Sequence, residues 1–232
     1  MKINADLSER VVIDTNQVDW TETRLPGVHR RVLDRDGAEA GRATTIVRFD
    51  KNSYFDPHEH PGGEEFLVLE GVFSDQYGDF PAGTYVRNPV GSAHKPHTAE
   101  GCTIFVKLWQ MEPEDQEFVR VNTDSATWHP GMVEGLTVMP LHQFETEHVA
   151  LVRWAPGTVF TQHRHFGGEE ILVLDGVFED EFGRYPEGTW IRSPHGSVHA
   201  PLSTDGCTIL VKTGHLAEQV EPTVTGSAYV AR

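Results

Sequence analysis

The sequence predicts an all-β molecule built as two tandem jelly-roll barrels, and three observations carry that expectation. The chain repeats itself: at an offset of 105 residues, Tyr54 to Lys107 aligns with Val159 to Lys212 without a gap, with about 30 of 54 positions identical. Short runs of β-branched and aromatic residues, such as Thr44 to Phe49, Glu65 to Glu70 and Thr103 to Val106, are punctuated closely by glycine and proline. Neither repeat shows the 3.6-residue apolar spacing of an amphipathic helix, so an antiparallel sandwich or barrel is expected over an α/β fold.

At 232 residues the chain has room for two compact units of roughly 100 residues each. Leu25-Pro26-Gly27-Val28 and His129-Pro130-Gly131-Met132 read as a weaker echo at an offset near 104, giving each unit its own leading strands. The polar stretch from about Met111 to Asn122 marks the boundary, and divides the chain into an N-terminal domain, 1–116, and a C-terminal domain, 117–232. Residues 1 to 20 and the tail from about Glu218 carry little pattern and read as edge strands or loosely held ends.

Acidic residues outnumber basic ones by 35 to 19, for a net charge of −16. Such a surface repels phosphate backbones, so no nucleic-acid partner is expected. No apolar run is long enough to span a bilayer, and MKINADLSER is charged where a secretion signal is apolar, so no membrane partner and a cytoplasmic location are expected. Cys102 and Cys207 occupy equivalent places in the repeat, inside apolar strands. Two such positions in separate barrels do not meet, which predicts buried free thiols rather than a disulfide.

The chemistry lies in His58-Glu59-His60-Pro61-Gly62-Gly63-Glu64, followed thirty residues later by His94; the second half repeats it as His163, His165, Glu169 and His199. Side chains at i and i+2 of a strand share a face, so the two histidines of each run converge on one point. The glycine pair lets the chain bend back and return the glutamate, and the last histidine arrives from a later strand. Glu65 and Glu170 are adjacent candidates, but strand parity turns them to the opposite face. Three imidazoles and one carboxylate suit a divalent transition metal, one per barrel, drawn from Zn, Fe, Mn, Ni or Co. An octahedral ion so held keeps up to two open positions for water, oxygen or a small-molecule ligand or substrate. No separate catalytic residue is identified.

The pattern H-x-H-x3-E-x6-G (His58, His60, Glu64, Gly71), then P-x-G-x10-H (Pro81, Gly83, His94), resembles the two motifs of the cupin superfamily. It recurs as His163, His165, Glu169, Gly176, Pro186, Gly188 and His199, the mark of a bicupin. The wording GGEE, D-x-x-G-x-x-P-x-G-T, R-x-P-x-G-S-x-H and G-C-T-x-x-V-K is similar, more narrowly, to the cupin-like domain of ChrR-type anti-sigma factors. The resemblance implies two cupin (double-stranded β-helix, or jelly-roll) barrels, a metal on the eight residues named, and a metal-dependent regulatory or stress-response role with a protein partner. The sigma-binding module of such factors carries a histidine and cysteine-pair zinc site, and nothing before Thr44 contains a cysteine. Cupins with similar ligand sets include non-haem metal dioxygenases acting on diketones or phenolic ketones, which is the alternative expectation. A duplicated barrel supplies within one chain the pairing that single cupins reach by dimerising, so a monomer or homodimer is expected.

Three pairs of cations also repeat: Arg48 with Arg153, Arg87 with Arg192, and Lys107 with Lys212. They are expected to form salt bridges at the barrel surface, the other reading being a pocket for an anionic substrate beside the metal. His97 and His195 occur in one repeat each and read as loop histidines; His29, His129, His142, His148 and His215 show no ligand spacing.

Overall fold

The computed structural model describes residues 2–38 and 40–216. Among them there is no α-helix, only a 3-10 turn at Thr15–Gln17, and every other regular element is a β-strand. The predicted tail from Glu218 lies outside the described residues. Among the described residues no helix is long and apolar enough to cross a membrane.

Each half forms a jelly roll. In the first, a nine-stranded sheet has at its centre Gly41–Phe49, Cys102–Leu108, Glu64–Asp75 and Thr84–Asn88, joined in that order. A two-stranded ribbon, His58–His60 against Ser92–His94, stands apart from it. The second half repeats the arrangement in a ten-stranded sheet with Glu147–Trp154, Cys207–Thr213, Glu169–Asp180 and Thr189–Ser193, and a ribbon of His163–His165 with Ser197–His199. The long strand Glu64–Asp75 turns from one sheet partner to the next at Gly71, whose φ is +71°. A Cβ there would sit 2.1 Å from the Gly101 carbonyl oxygen, and at Gly176 2.2 Å from that of Gly206, so only glycine closes this corner.

Strands cross between the halves. Val11–Asp14 pairs with Thr189–Ser193 of the second half, and Val119–Asn122 pairs with Thr84–Asn88 of the first. Each half thus hands its leading strand to the other's sheet. The stretch read as a polar boundary therefore ends in a strand, because Val119 and Val121 supply the alternating apolar side chains that an edge strand needs. The leading hairpin also corrects the echo at 104. Val28 pairs with Phe49 and Leu136 with Trp154, so the first hairpin is longer and Gly27 matches Gly135, not Gly131. Lys2–Ile3 and Val11–Asp14 are edge strands.

One apolar core lies inside each barrel, and a third is shared between them. Phe66, Phe73 and Cys102 belong to the first, Trp154, Phe178 and Cys207 to the second. Ile46, Leu67 and Phe105 meet Leu151, Leu172 and Leu210 in the shared one. Both cysteines are buried free thiols, and burial pushes each up to about 11.

The repeated cations correct the expectation of surface pairs. Arg87, Lys107, Arg192 and Lys212 are all buried, and they join the halves. Lys212 reaches across to Glu65 at 2.9 Å and also meets Glu147 at 3.0 Å; Lys107 reaches across to Glu170. Arg87 bonds Glu65, Glu147 and Asp115, while Arg192 bonds Asp34, which Arg42 also meets at 3.0 Å. Two histidines without ligand spacing join this network, His142 at 2.8 Å from Asp115 and His215 at 3.1 Å from Glu170. Low hydropathy hides such positions in the sequence, because a salt bridge looks the same whether water or a second barrel covers it. Arg48 and Arg153 stack instead over Trp20 and Trp128, at 4.4 and 4.2 Å from the ring centres.

Candidate metal centres

In the first half the ribbon sets His94 directly opposite His58, with His60 two residues along the same face. Ligand atoms of the three rings lie within 4.8 Å of one another. The turn after His60 needs both glycines for different reasons. Gly63 has φ +73°, whereas a Cβ on Gly62 would fall 2.5 Å from the Trp109 ring. The turn delivers Glu64, whose Oε2 lies 3.5 Å from His60 Nε2 and 3.4 Å from His94 Nε2. Glu65 points to the other side, into the inter-barrel network, as strand parity requires.

Hydrogen bonds fix which nitrogen is available on two of the three rings, His94 and His58. Asp75 lies 3.1 Å from His94 Nδ1; a carboxylate only accepts, so Nδ1 carries the proton and Nε2 keeps its lone pair. His58 Nδ1 donates in the same way to the Asp56 carbonyl at 2.9 Å. Nε2 of His60 and of His94 is buried without a hydrogen-bond partner. Leaving two such acceptors dry costs about 1–3 kcal/mol each unless something electropositive meets them. A divalent ion fits that requirement, and the donor set of three imidazoles and a carboxylate fits a borderline metal. Burial lowers the pKa of His60, which favours the neutral ring that a metal requires.

Asn88 and Arg120 were not singled out in the sequence. Asn88 donates from Nδ2 to Glu64 Oε2 at 2.9 Å, and Arg120 donates to the Asn88 oxygen at 2.5 Å. Burial works against ionised Glu64, but His60, His94 and this amide outweigh it and hold its pKa below the ordinary value. Arg120 belongs to the strand handed over from the second half. No local motif could have placed it here, since its partner lies in another domain's repeat.

The second half assembles the same four side chains. His163 faces His199 across its ribbon, and the triad again lies within 4.8 Å. His165 Nε2 and His199 Nε2 come within 2.9 Å, and Glu169 lies 3.5 and 3.6 Å from them. Both glycines of this turn, Gly167 and Gly168, have positive φ, and the exposed His195 accepts from the Gly167 N–H at 2.9 Å. His195 thus holds the turn where Phe166 stands in place of Pro61. His97, its counterpart among the unpaired loop histidines, is exposed and bridges Ser74 through its backbone.

Support for the carboxylate differs. Ser193 stands where the first half has Asn88, and Val12 where it has Arg120. Here burial dominates and pushes Glu169 up to about 7, Asp180 adding to the effect, since of the ligand histidines only His199 opposes it and no amide helps. Burial, with His199 and His163 nearby, takes His165 down to about 3. Asp180 itself is held by Tyr185 Oη at 2.7 Å and by Arg10 at 3.1 Å, Arg10 coming from the first half.

Each site opens on a cavity. That of the first half, about 540 Å³, is lined by His58, His60, Glu64, Phe55, Arg30 and Arg35. That of the second, about 390 Å³, is walled by Met132, Val138, Trp154, Phe160 and Ile209 around His163 and His199. Val138 replaces Arg30 in register, so the second cavity is apolar where the first carries guanidinium groups.

Comparison with known proteins accords with this geometry. No curated protein sequence matches the chain. Solved structures of similar fold include a protein of Nostoc punctiforme provisionally named a dioxygenase, at TM-score 0.75 and 16% identity over 97% of this chain and 88% of that one. Protein Ylba of E. coli aligns at TM-score 0.68 and 16% identity, over 94% and 96%. The oxalate decarboxylase of Lactobacillus farciminis aligns at TM-score 0.63 and 13% identity, over 89% and 86%. The sequence profile of the ChrR Cupin-like domain matches residues 8–112 and again 116–217, and the chain therefore belongs to that family and carries its domain twice.

Proposed function

We propose that the protein binds one divalent transition-metal ion in each barrel, through His58, His60, Glu64 and His94 and through His163, His165, Glu169 and His199, and that the first barrel is a metal-dependent dioxygenase acting on a small oxygenated compound such as a diketone. The observation that carries this reading is the pair of buried, unpartnered Nε2 atoms of His60 and His94, facing a cavity of about 540 Å³ with Arg30 and Arg35 in its wall. A bound ion would supply Lewis acidity and, if redox-active, an electron path to oxygen. The chain's own groups do the rest. Asp75 and the Asp56 carbonyl keep His94 and His58 in the tautomer that presents Nε2. Asn88 aims Glu64 and, after His60 and His94, helps to lower its pKa. The guanidinium groups attract the oxygens of an anionic or enolised substrate, while Phe55 and Phe73 exclude water from its far side.

The test is oxygen consumption by protein loaded separately with Fe(II), Mn(II), Co(II), Ni(II) and Zn(II), against a panel of diketones and phenolic ketones. Turnover with at least one redox-active ion, abolished by His60→Ala and kept by His165→Ala, is the expected result. Absence of turnover with every ion would overturn the catalytic reading.

Family membership favours a second reading, a metal-dependent regulatory module for a protein partner. On that reading no turnover occurs, and removing the ion changes affinity for a co-purifying partner.

A further inference from the structure

Where the halves meet, they frame an open cavity of about 400 Å³ separate from both metal sites. Its apolar wall comes equally from the two repeats, as Leu67 and Leu69 with Leu172 and Leu174. Its polar end is built by Arg31 and Arg48, whose guanidinium carbons lie 4.3 and 4.4 Å from the centre of one ring, Trp20. Nε of each arginine is buried without a hydrogen-bond partner. Two cations sharing one ring repel each other, and a buried N–H without a partner is costly even where the rest of the guanidinium is half-exposed. The carboxylates in this wall, Glu70 and Glu187, are exposed to solvent.

Folding does not require this pair of charges. In the second half, Met139 holds the place of Arg31, paired with Leu151 as Arg31 is paired with Ile46. There Arg153 stacks on Trp128. The second cation is thus peculiar to one side of the pseudo-symmetric interface. A cavity of a few hundred Å³ with an apolar body and a few converging donors is the general form of a small-molecule site.

We propose that this inter-barrel cavity binds a small organic carboxylate with an apolar body, its anionic head between Arg31 and Arg48 and its body among the leucines. Such a head satisfies both buried Nε–H groups and screens the two charges. The site touches strands of both barrels, so occupancy fastens the halves together and raises the unfolding temperature of the whole chain.

The experiment is calorimetric titration of the full chain with benzoate and octanoate, with benzamide as the neutral control, alongside thermal melting. One carboxylate is expected per chain with a raised melting temperature, and benzamide is expected to bind at least about tenfold more weakly. Arg31→Met, which installs the residue of the other half, and Arg48→Met are each expected to weaken binding about tenfold or more, and Arg31→Lys to weaken it less. Equal affinity in wild type and both methionine variants would place any bound carboxylate elsewhere, such as on a metal, and overturn the proposal. So would benzamide binding as well as benzoate, or the absence of binding by both carboxylates.

Discussion

The two barrels present the same three histidines and one glutamate, yet Glu64 and Glu169 differ in what stands behind them. In the first, His60 and His94, with an amide from Asn88 that Arg120 holds in turn, offset burial and keep the carboxylate pKa below its ordinary value. In the second, Ser193 and Val12 occupy those places, and burial raises Glu169 to about 7. A donor set is therefore only half of a metal site; the groups that fix charge and orientation are the other half. The cavities diverge too, charged groups of both signs lining the first, Arg30 and Arg35 among them, and apolar side chains the second. Duplication copied the ligands, and the surroundings separated.

The interface between the barrels offers the largest test of that comparison. Lys212 holds two carboxylates, Glu65 and Glu147, and their charges raise its pKa against the pull of burial. Lys107 holds Glu170, and burial leaves its pKa lowered. Lys212→Met, which strands buried acids, should destabilise the fold by about 3–5 kcal/mol, and Lys107→Met by less, in denaturant melts. Equal losses would mean the network is symmetric after all.

Acidity separates the metal sites next. Glu169 with its pKa near 7 must release a proton to bind an ion, so affinity at the second site should fall roughly tenfold per pH unit below about 7. Glu64, its pKa held below the ordinary value, adds no such proton release at the first site, whose dependence over that range should be the shallower of the two. Competition titrations at pH 6 and pH 8 read the difference directly. In metal-free protein the same raised pKa acts on stability. The unfolded chain ionises Glu169 near 4.5 and the folded chain near 7, so folding stability should decline between those values. Glu65 has the opposite sign: with a folded pKa of about 2, its contribution is complete above 4.5 and is lost as pH falls toward 2.

Exchange of the supporting residues should move the sites toward each other. Asn88→Ser is expected to weaken metal at the first site about tenfold, and Ser193→Asn to strengthen the second by less, because Val12 leaves the new amide without the Arg120 contact. Unchanged affinities in both variants would remove the amide from the account.

The barrels and the convergence of each set of histidines were legible because both are written locally: alternation fixes faces, a glycine pair fixes a turn, and repetition raises the signal above accident. Parity, with the spacing to Gly71 agreeing, separated Glu64 from Glu65, and the structure places them on opposite faces. What could not be read depends on contacts across the chain. Arg10 and Arg120 act in the other half's barrel because leading strands are exchanged. Lys107 and Lys212 read as surface cations, since nothing in a strand pattern says that a second barrel will cover one face. The missed three-residue difference between the leading hairpins had a similar cause, for the echo at 104 matched a glycine without its strand partner.

Metal titration of chelator-stripped protein, followed by metal analysis after dialysis, tests the central claim most directly. The account predicts two ions per wild-type chain with unequal affinity, the tighter one lost in His60→Ala and the weaker one in His165→Ala. Two ions retained in both variants, or none bound by the wild type, would contradict it.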